Sequence, residues 1–465
     1  MSTTTWIETA LRVAEGLPGA DRGCAVIITE THETNVRWAN NALTTNGQMH
    51  HLRGEVVCLA SVDGGTASGC VSGPVTSADD LTALVHEAAR VASAGRPDED
   101  ARDLPTGGAR EGWDEPAAQT SFDVMRPICE GLGTAFAEAG DHHLFFGFAE
   151  HIVHTTWLGT SAGVRSRGVQ KLGRLELNAK HPDMVGSAWV GRSSADFDDI
   201  DMPALVAEVL ERLGWCENRI DLPAGRYEVI LPPSCVADLM VYTYWTMTGR
   251  SAREGQSVFA AADGRTRVGE TLASVPWSMW SDPHAPGMEC PDVAAIGGSQ
   301  AGTASVHDNG CDVGRVDWMR DGVLTQLVET RSEQERSGQS GPLPYPTENL
   351  LVDAGGTTTL DEMVKDTKRG LLLTCFWYIR TVEEETLLQT GLTRDGVYLV
   401  EDGKVVGAVN NFRWNESPVG LLNRITEVGV AERTLCREWQ DWFQLTVAPS
   451  MRVPDFNMST VSQAN

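Results

Sequence analysis

The sequence predicts an α+β protein, with an N-terminal sheet-and-helix region in two parts followed by a β-rich, barrel-like C-terminal domain. Three observations predict it. In roughly the first 215 residues, stretches with apolar residues at helical spacing alternate with β-branched runs. The order helix, strands, helix occurs there twice. The remaining half is mostly short strands punctuated by Gly and Asp turns.

The first helix is expected from the capping-box pattern Thr5-Trp6-Ile7-Glu8 and from Ile7, Ala10, Leu11, Ala14 and Leu17 at helical spacing, with Gly16 and Gly19 ending it. β-branched runs at 25–29 and 56–60 follow, with Asp63-Gly64-Gly65 as a hairpin turn. Residues Ser77 to Asp80 then cap a second helix whose stripe is Leu81, Leu84, Val85, Ala88, Val91 and Ala92 and whose stop is Gly95. Residues 1–95 therefore form one unit.

Residues 96–120 combine Pro97, Pro105 and Pro116 with Gly107, Gly108 and Gly112 and seven acids between Asp98 and Glu115. Such composition predicts a solvated acidic linker. The middle unit, 121–220, starts with a helix over 122–139 stopped by Gly140. Two or three long strands are expected within 144–190. A further helix is capped by Asp201, carries Pro203 in its first turn and stops at Gly214. In the C-terminal domain, 221–465, a strand over 226–231 leads into a helix over 234–248 with Val236, Leu239, Met240, Thr243, Tyr244 and Met247 on its buried stripe, closed by Gly249. Asp321-Gly322, Asp395-Gly396 and Asp402-Gly403 are hairpin signals.

The formal charge of −27, from 37 basic and 64 acidic residues, argues against a nucleic-acid partner. No window approaches the roughly 18 apolar residues of a membrane span, and the N-terminus lacks the cationic and apolar regions of a signal peptide. A cytoplasmic protein is expected. The ten cysteines contain no CxxC pair and are expected to be free thiols.

Local motifs are sparse. Gly159-Thr160-Ser161-Ala162-Gly163 spells GxSxG, but it lies between two strand-like runs, whereas a nucleophile elbow needs a strand followed by a helix. It is expected to be a hairpin turn. His151 and His154 sit in a strand-like run, where their odd spacing puts them on opposite faces rather than on one metal. His142-His143 lacks a companion ligand motif, and the second half holds only His284 and His307, in loops. Glu383-Glu384-Glu385 reads as a solvated face, and no GxGxxG, Walker or EF-hand string occurs.

The stretch Arg253-Glu254-Gly255-Gln256-Ser257-Val258-Phe259 resembles the TldD/PmbA family of modulators of DNA gyrase and peptide processing. Residues 33–41, the turn 157–163 and the run 396–418 ending Asn415-Glu416-Ser417-Pro418 resemble other parts of that family, so the resemblance spans essentially the whole chain. It implies one of two subunit types. TldD-type chains carry HExxxH in the helix before this stretch, with two histidines holding zinc, the glutamate as general base and a Cys near the C-terminus completing the ligand set. Counted back from Gly255, those positions fall on Met240, Val241 and Trp245, whose side chains offer no zinc ligand or proton carrier of that kind. Cys436, in the region of the family's Cys ligand, is expected to be a buried thiol.

The resemblance therefore implies a TldE/PmbA-type subunit with no catalytic residues and no metal of its own. Its partner would be a TldD-type HExxxH subunit bearing zinc, and its substrate an unfolded or small modified peptide, with Arg253, Gln256, Ser257 and Phe259 lining a peptide channel. The alternatives are a homodimeric PmbA-like peptide-binding or structural protein, and a peptide-tailoring enzyme with a relocated site.

Overall fold

The structure, a computed structural model, describes residues 2–300, 302–338 and 342–462. The N-terminal half runs α1 (Thr3–Ala14), β1 (Gly23–Ala39), β2 (Ala42–Val62), β3 (Gly65–Pro74), α2 (Ala78–Ser93), α3 (Arg126–Ala139), β4 (Leu144–Thr160), β5 (Arg165–Lys180), β6 (Ser187–Ser194) and α4 (Met202–Trp215). Its strands join one antiparallel sheet in the order β3-β2-β1-β4-β5-β6. The two helix-strands-helix units thus share a sheet, because β1 and β4 pair along most of their lengths, from Ala25↔Thr160 to Trp38↔Gly147.

Alternation decides what each face meets. On one face Cys24, Val26, Ile28, Val56 and Cys58 pack under α1 and α2, while Phe145, Leu175, Leu177 and Val190 pack under α3 and α4. On the other face Ala25, Ile27, Val57 and Leu158 meet Val293, Ile296, Val306 and Val313 of the C-terminal half. Both faces are covered there, which is why 24–28 is an unbroken apolar run rather than an alternating one.

The C-terminal half comprises β7 (Arg219–Ile220), β8 (Gly225–Leu231), α5 (Pro233–Trp245), α6 (Gly249–Arg253), β9 (Ser278–Ser281), β10 (Val316–Arg320), β11 (Val323–Leu324), α7 (Arg331–Ser337), β12 (Asn349–Asp353), α8 (Leu360–Lys365), β13 (Arg369–Leu373), β14 (Phe376–Glu383), β15 (Leu388–Thr393), β16 (Val397–Glu401), β17 (Lys404–Val409), β18 (Phe412–Glu416), α9 (Pro418–Leu422), β19 (Glu427–Thr434) and β20 (Leu445–Val461). The α+β class is correct, but among the described residues the sheet does not close into a barrel. It branches instead, because β20 changes neighbours along its length. Residues 445–447 pair with β12, residues 451–458 with β8, and Met458 to Val461 with β18. A strand that hands its edge to successive partners makes a forked open sheet, with α5 packed across β20 and β19.

Several local expectations shift. Ser2, not Thr5, caps α1, its hydroxyl accepting from Thr5 N at 3.2 Å. Gly214 lies inside α4, since Trp215 and Cys216 continue the turn under Ser187 and Tyr398. Gly249 does not close the long helix: α5 ends at Trp245, Thr248 caps the short α6, and Arg253 is its last residue. Asp321-Gly322 and Asp402-Gly403 do turn paired strands. Asp395-Gly396 adopts the same left-handed backbone but joins β15 to β16, which pair with different neighbours.

The segment 96–120 is not the solvated connector its composition suggests. Leu104 and Trp113 are buried, and the acids meet basic groups of the C-terminal half. Asp98 faces the buried His307 Nε2 at 3.0 Å, while Asp100 accepts from Arg336 at 2.6 Å and Arg250 at 3.3 Å. Arg102 reaches Glu335 at 2.7 Å. The segment straps the two halves together.

Candidate functional site

The helix expected to matter most, α5, starts from Pro232 and Pro233 and buries nearly every side chain, including Met240 and Val241, both 0% exposed. Only at its C-terminal end does a site-related residue reach solvent, Trp245 at 37% exposure. Aromatic rings crowd that end. Trp245 lies 5.4 Å from Trp439 and 6.2 Å from Phe443, and Tyr244 lies 5.4 Å from Trp318 and 6.1 Å from Phe443. Cys436 is sealed below, its thiol donating to Phe443 O at 2.7 Å and pushed well above its usual pKa by burial. Zinc needs deprotonated thiolate, neutral imidazole or carboxylate donors. A thioether, an isopropyl group and an indole beside a protonated thiol do not fit it.

Asp238, two turns before Trp245 on the same helix, is buried. Its Oδ1 accepts from Glu438 N at 3.0 Å, and Oδ2 has no protein partner among the described residues. Burial raises its carboxyl well above the ordinary range. The folded chain therefore holds that proton more tightly than the unfolded chain, so stability falls as pH rises from the ordinary Asp range through the raised value. Asp238→Asn should flatten this fall and gain on the parent as pH rises, read from urea midpoints between pH 4 and 8.

The four proposed channel residues do not come together. Arg253 bonds Glu329 at 2.5 Å and Glu333 at 3.2 Å, on the side of the strap. Gln256 and Ser257 line a small cavity of about 230 Å³ with Trp245 and Tyr242. Phe259 is wholly buried in the C-terminal core and lines no described cavity, so it cannot touch a peptide.

Sequence reasoning missed the main cleft. The covered face of the six-stranded sheet supplies its floor, including Thr29, Glu55, His154 and Gln170, and segments 290–297, 345–348 and 441–444 supply its walls. Two adjoining cavities of about 420 and 480 Å³ share Glu55, Tyr345, Glu348 and Phe443, with Trp245 on the wall of the second. His154 donates to or accepts from Thr31 Oγ1 at 2.9 Å, and burial lowers its pKa, which favours the neutral ring. His151 points to the opposite face, against Thr120 and Ala195 O, as the odd spacing requires. Only the sequence cluster Trp439, Trp442 and Phe443 hinted at this place.

Elsewhere, Ser161 is a turn residue whose Oγ accepts from Cys24 N at 2.9 Å. Glu30, His32 and His50 form the one group of three potential metal ligands among the described residues. Both ring Nε2 atoms face Glu30 Oε1, at 3.1 and 2.9 Å, and the rings stack at 4.3 Å. No described helix is long and apolar enough to cross a membrane.

No curated protein matches the sequence significantly. The family model for the PmbA/TldA metallopeptidase C-terminal domain matches residues 224–460, just over half of the chain. Among solved structures, TldE from Thermococcus kodakarensis superposes with a TM-score of 0.78 at 15% identity, covering 97% of this chain and 99% of that one. A protein from Thermotoga maritima described as a modulator of a DNA gyrase gives 0.72 at 15% identity, covering 98% and 100%. Another from Bacteroides thetaiotaomicron, described as a modulator of DNA gyrase, gives 0.73 at 14%, covering 98% and 99%. By this match along its C-terminal half, and with a fold shared end to end with TldE, the chain belongs to the TldD/PmbA family.

Proposed function

We propose that this chain is the non-catalytic partner subunit of a TldD/TldE-type zinc metalloprotease that cleaves unfolded or small modified peptides. One observation carries the reading: at the positions where TldD-type chains hold HExxxH, this chain has Met240 and Val241 inside the core and Trp245 in an aromatic cluster. The protein keeps a roomy cleft beside that helix while lacking the donors that would make it hydrolytic. Its contribution is structural: it completes a chamber and holds peptide near zinc borne by the partner.

A second feature supports association. β3 pairs with β2 only over residues 53–62, so among the described residues no strand covers the second edge of residues 42–51 of β2, a mostly exposed stretch carrying Leu43 and Met49, each more than half exposed. Such an edge is a template for pairing with another chain. Mixing this chain with a TldD-type subunit should give a defined assembly by light scattering. Self-association that persists in the mixture, with no mixed species, would favour the homodimeric alternative.

The purified chain is expected to carry no stoichiometric zinc by elemental analysis after desalting. Close to one zinc per chain, retained in His50→Ala and so not held by the Glu30 cluster, would sink the reading.

A further inference from the structure

The main cleft has a charge pattern that selects its occupant. Its two cavities are lined by the carboxylates of Glu55, Glu348 and Asp441 and, among the described residues, by no lysine or arginine. Two of these acids are already answered from outside the lining, Asp441 by Arg174 at 2.5 Å and Glu55 loosely by Arg53 at 3.6 Å. Glu348 is not. Among the described residues no hydrogen-bond or ion-pair partner faces its carboxylate, which is open to both cavities. The residue is exposed in the cleft, so its carboxylate remains open to a guest, and a cation entering the cleft can pair with it through a charge-assisted contact.

The walls suit the same guest. Tyr345 and Phe443 line both cavities, Trp245 lines the second, and Trp442 stands at the first with 68% exposure. Aromatic faces attract ammonium and guanidinium groups and cover the aliphatic stem behind them. Gly297 keeps Glu55 at the junction, because a Cβ there would come within 1.4 Å of Glu55 Oε2. The volumes are those of a small-ligand site rather than of a packing defect.

We propose that this cleft binds the positively charged group of a peptide, a lysine or arginine side chain or an N-terminal ammonium, with Glu348 as its counter-ion and the aromatic residues as its walls. This inference rests on the peptide-handling reading above and gives it a substrate class: basic peptides, held through their charge.

The test is calorimetric titration of the full chain with end-blocked alanine-rich pentapeptides carrying arginine, lysine or citrulline at the centre, and with an unblocked all-alanine peptide. At least one cationic peptide should bind about tenfold or more tightly than the citrulline peptide, as a charge-assisted contact requires. Which cationic peptide binds tells a side chain from an N-terminal ammonium. Glu348→Gln should erase the preference at an unchanged melting temperature. Trp442→Ala, at an exposed position, should weaken cationic peptides severalfold. Equal binding of arginine and citrulline peptides, or a preference that survives Glu348→Gln, overturns the inference. Absence of all peptide binding in a chain that still assembles with a TldD-type subunit also overturns it, while leaving the subunit reading in place. Charge-selective binding by a chain that refuses that partner would support the inference and sink the subunit reading.

Discussion

Arg331→Met should lower the chain's stability by about 3 kcal/mol at neutral pH and expose the 96–120 strap to proteases. Arg331 opens α7, and its Nε and backbone N bond the two oxygens of Asp308 at 2.9 and 3.3 Å. The same guanidinium reaches the carbonyls of Asp103, at 2.9 Å, and His307. It therefore ties strap, loop and helix at one point. Asp308 is 2% exposed, so removing its arginine leaves a buried carboxylate without its counter-ion, the situation in which ion pairs cost most to break. The figure sits at the low end of that range because Arg331 is itself a quarter exposed.

The pH dependence has a definite sign. Burial already raises the Asp308 carboxyl despite Arg331, so the folded chain binds this proton more tightly than the unfolded one. Losing the guanidinium raises it further. The electrostatic part of the deficit should therefore be full above the variant's raised folded value and shrink as pH falls through it to the parent's folded value. Arg22→Met is the matched comparison: Arg22 pairs with Asp103 at 2.8 Å, but the two are 46% and 84% exposed, so the change should stay within about 0.5 kcal/mol. Urea unfolding of both variants across pH decides it. Equal, small losses would mean the strap is not a structural clamp.

The elements that were legible in the sequence are those whose signal is local. The α2 stripe from Leu81 to Ala92, the Gly140 stop, the Asp63-Gly64-Gly65 turn and the hairpin at Ser161 each follow from periodicity or turn chemistry within a few residues. What could not be seen is set by pairing at long range. Nothing near β1 says that its second edge goes to β4 more than a hundred residues on, and nothing in β20 says that it serves several neighbours in turn. Asp100 of the strap illustrates the same limit, since its arginines lie at 250 and 336.

The site divides likewise. The absence of zinc donors at Met240, Val241 and Trp245 is a matter of residue type and needs no fold. The cleft is different, because Glu55, His154, the pair Tyr345 and Glu348, and Trp442 come from four separate segments. Phe259, which the family resemblance places in a channel, is fully buried core, and its neighbours in sequence carry no signal that tells the two apart.

In the proposed assembly all turnover should depend on the partner. With its α5 unable to position a metal-bound water, this chain alone should cleave nothing, while its mixture with a TldD-type subunit should cleave flexible peptides and lose that activity to a chelator. Mutating the partner's HExxxH glutamate should stop turnover, since it removes the general base. Trp245→Ala in this chain removes an indole that is neither acid nor base near neutral pH, so it should alter packing or peptide affinity and leave the chemical step in place.

The most direct measurement is a peptide digest read by mass spectrometry, with each subunit alone and the two together. The subunit assignment predicts no products from this chain alone and chelator-sensitive products from the pair; robust cleavage by this chain after rigorous removal of any partner would contradict it and point to an active site elsewhere in the molecule.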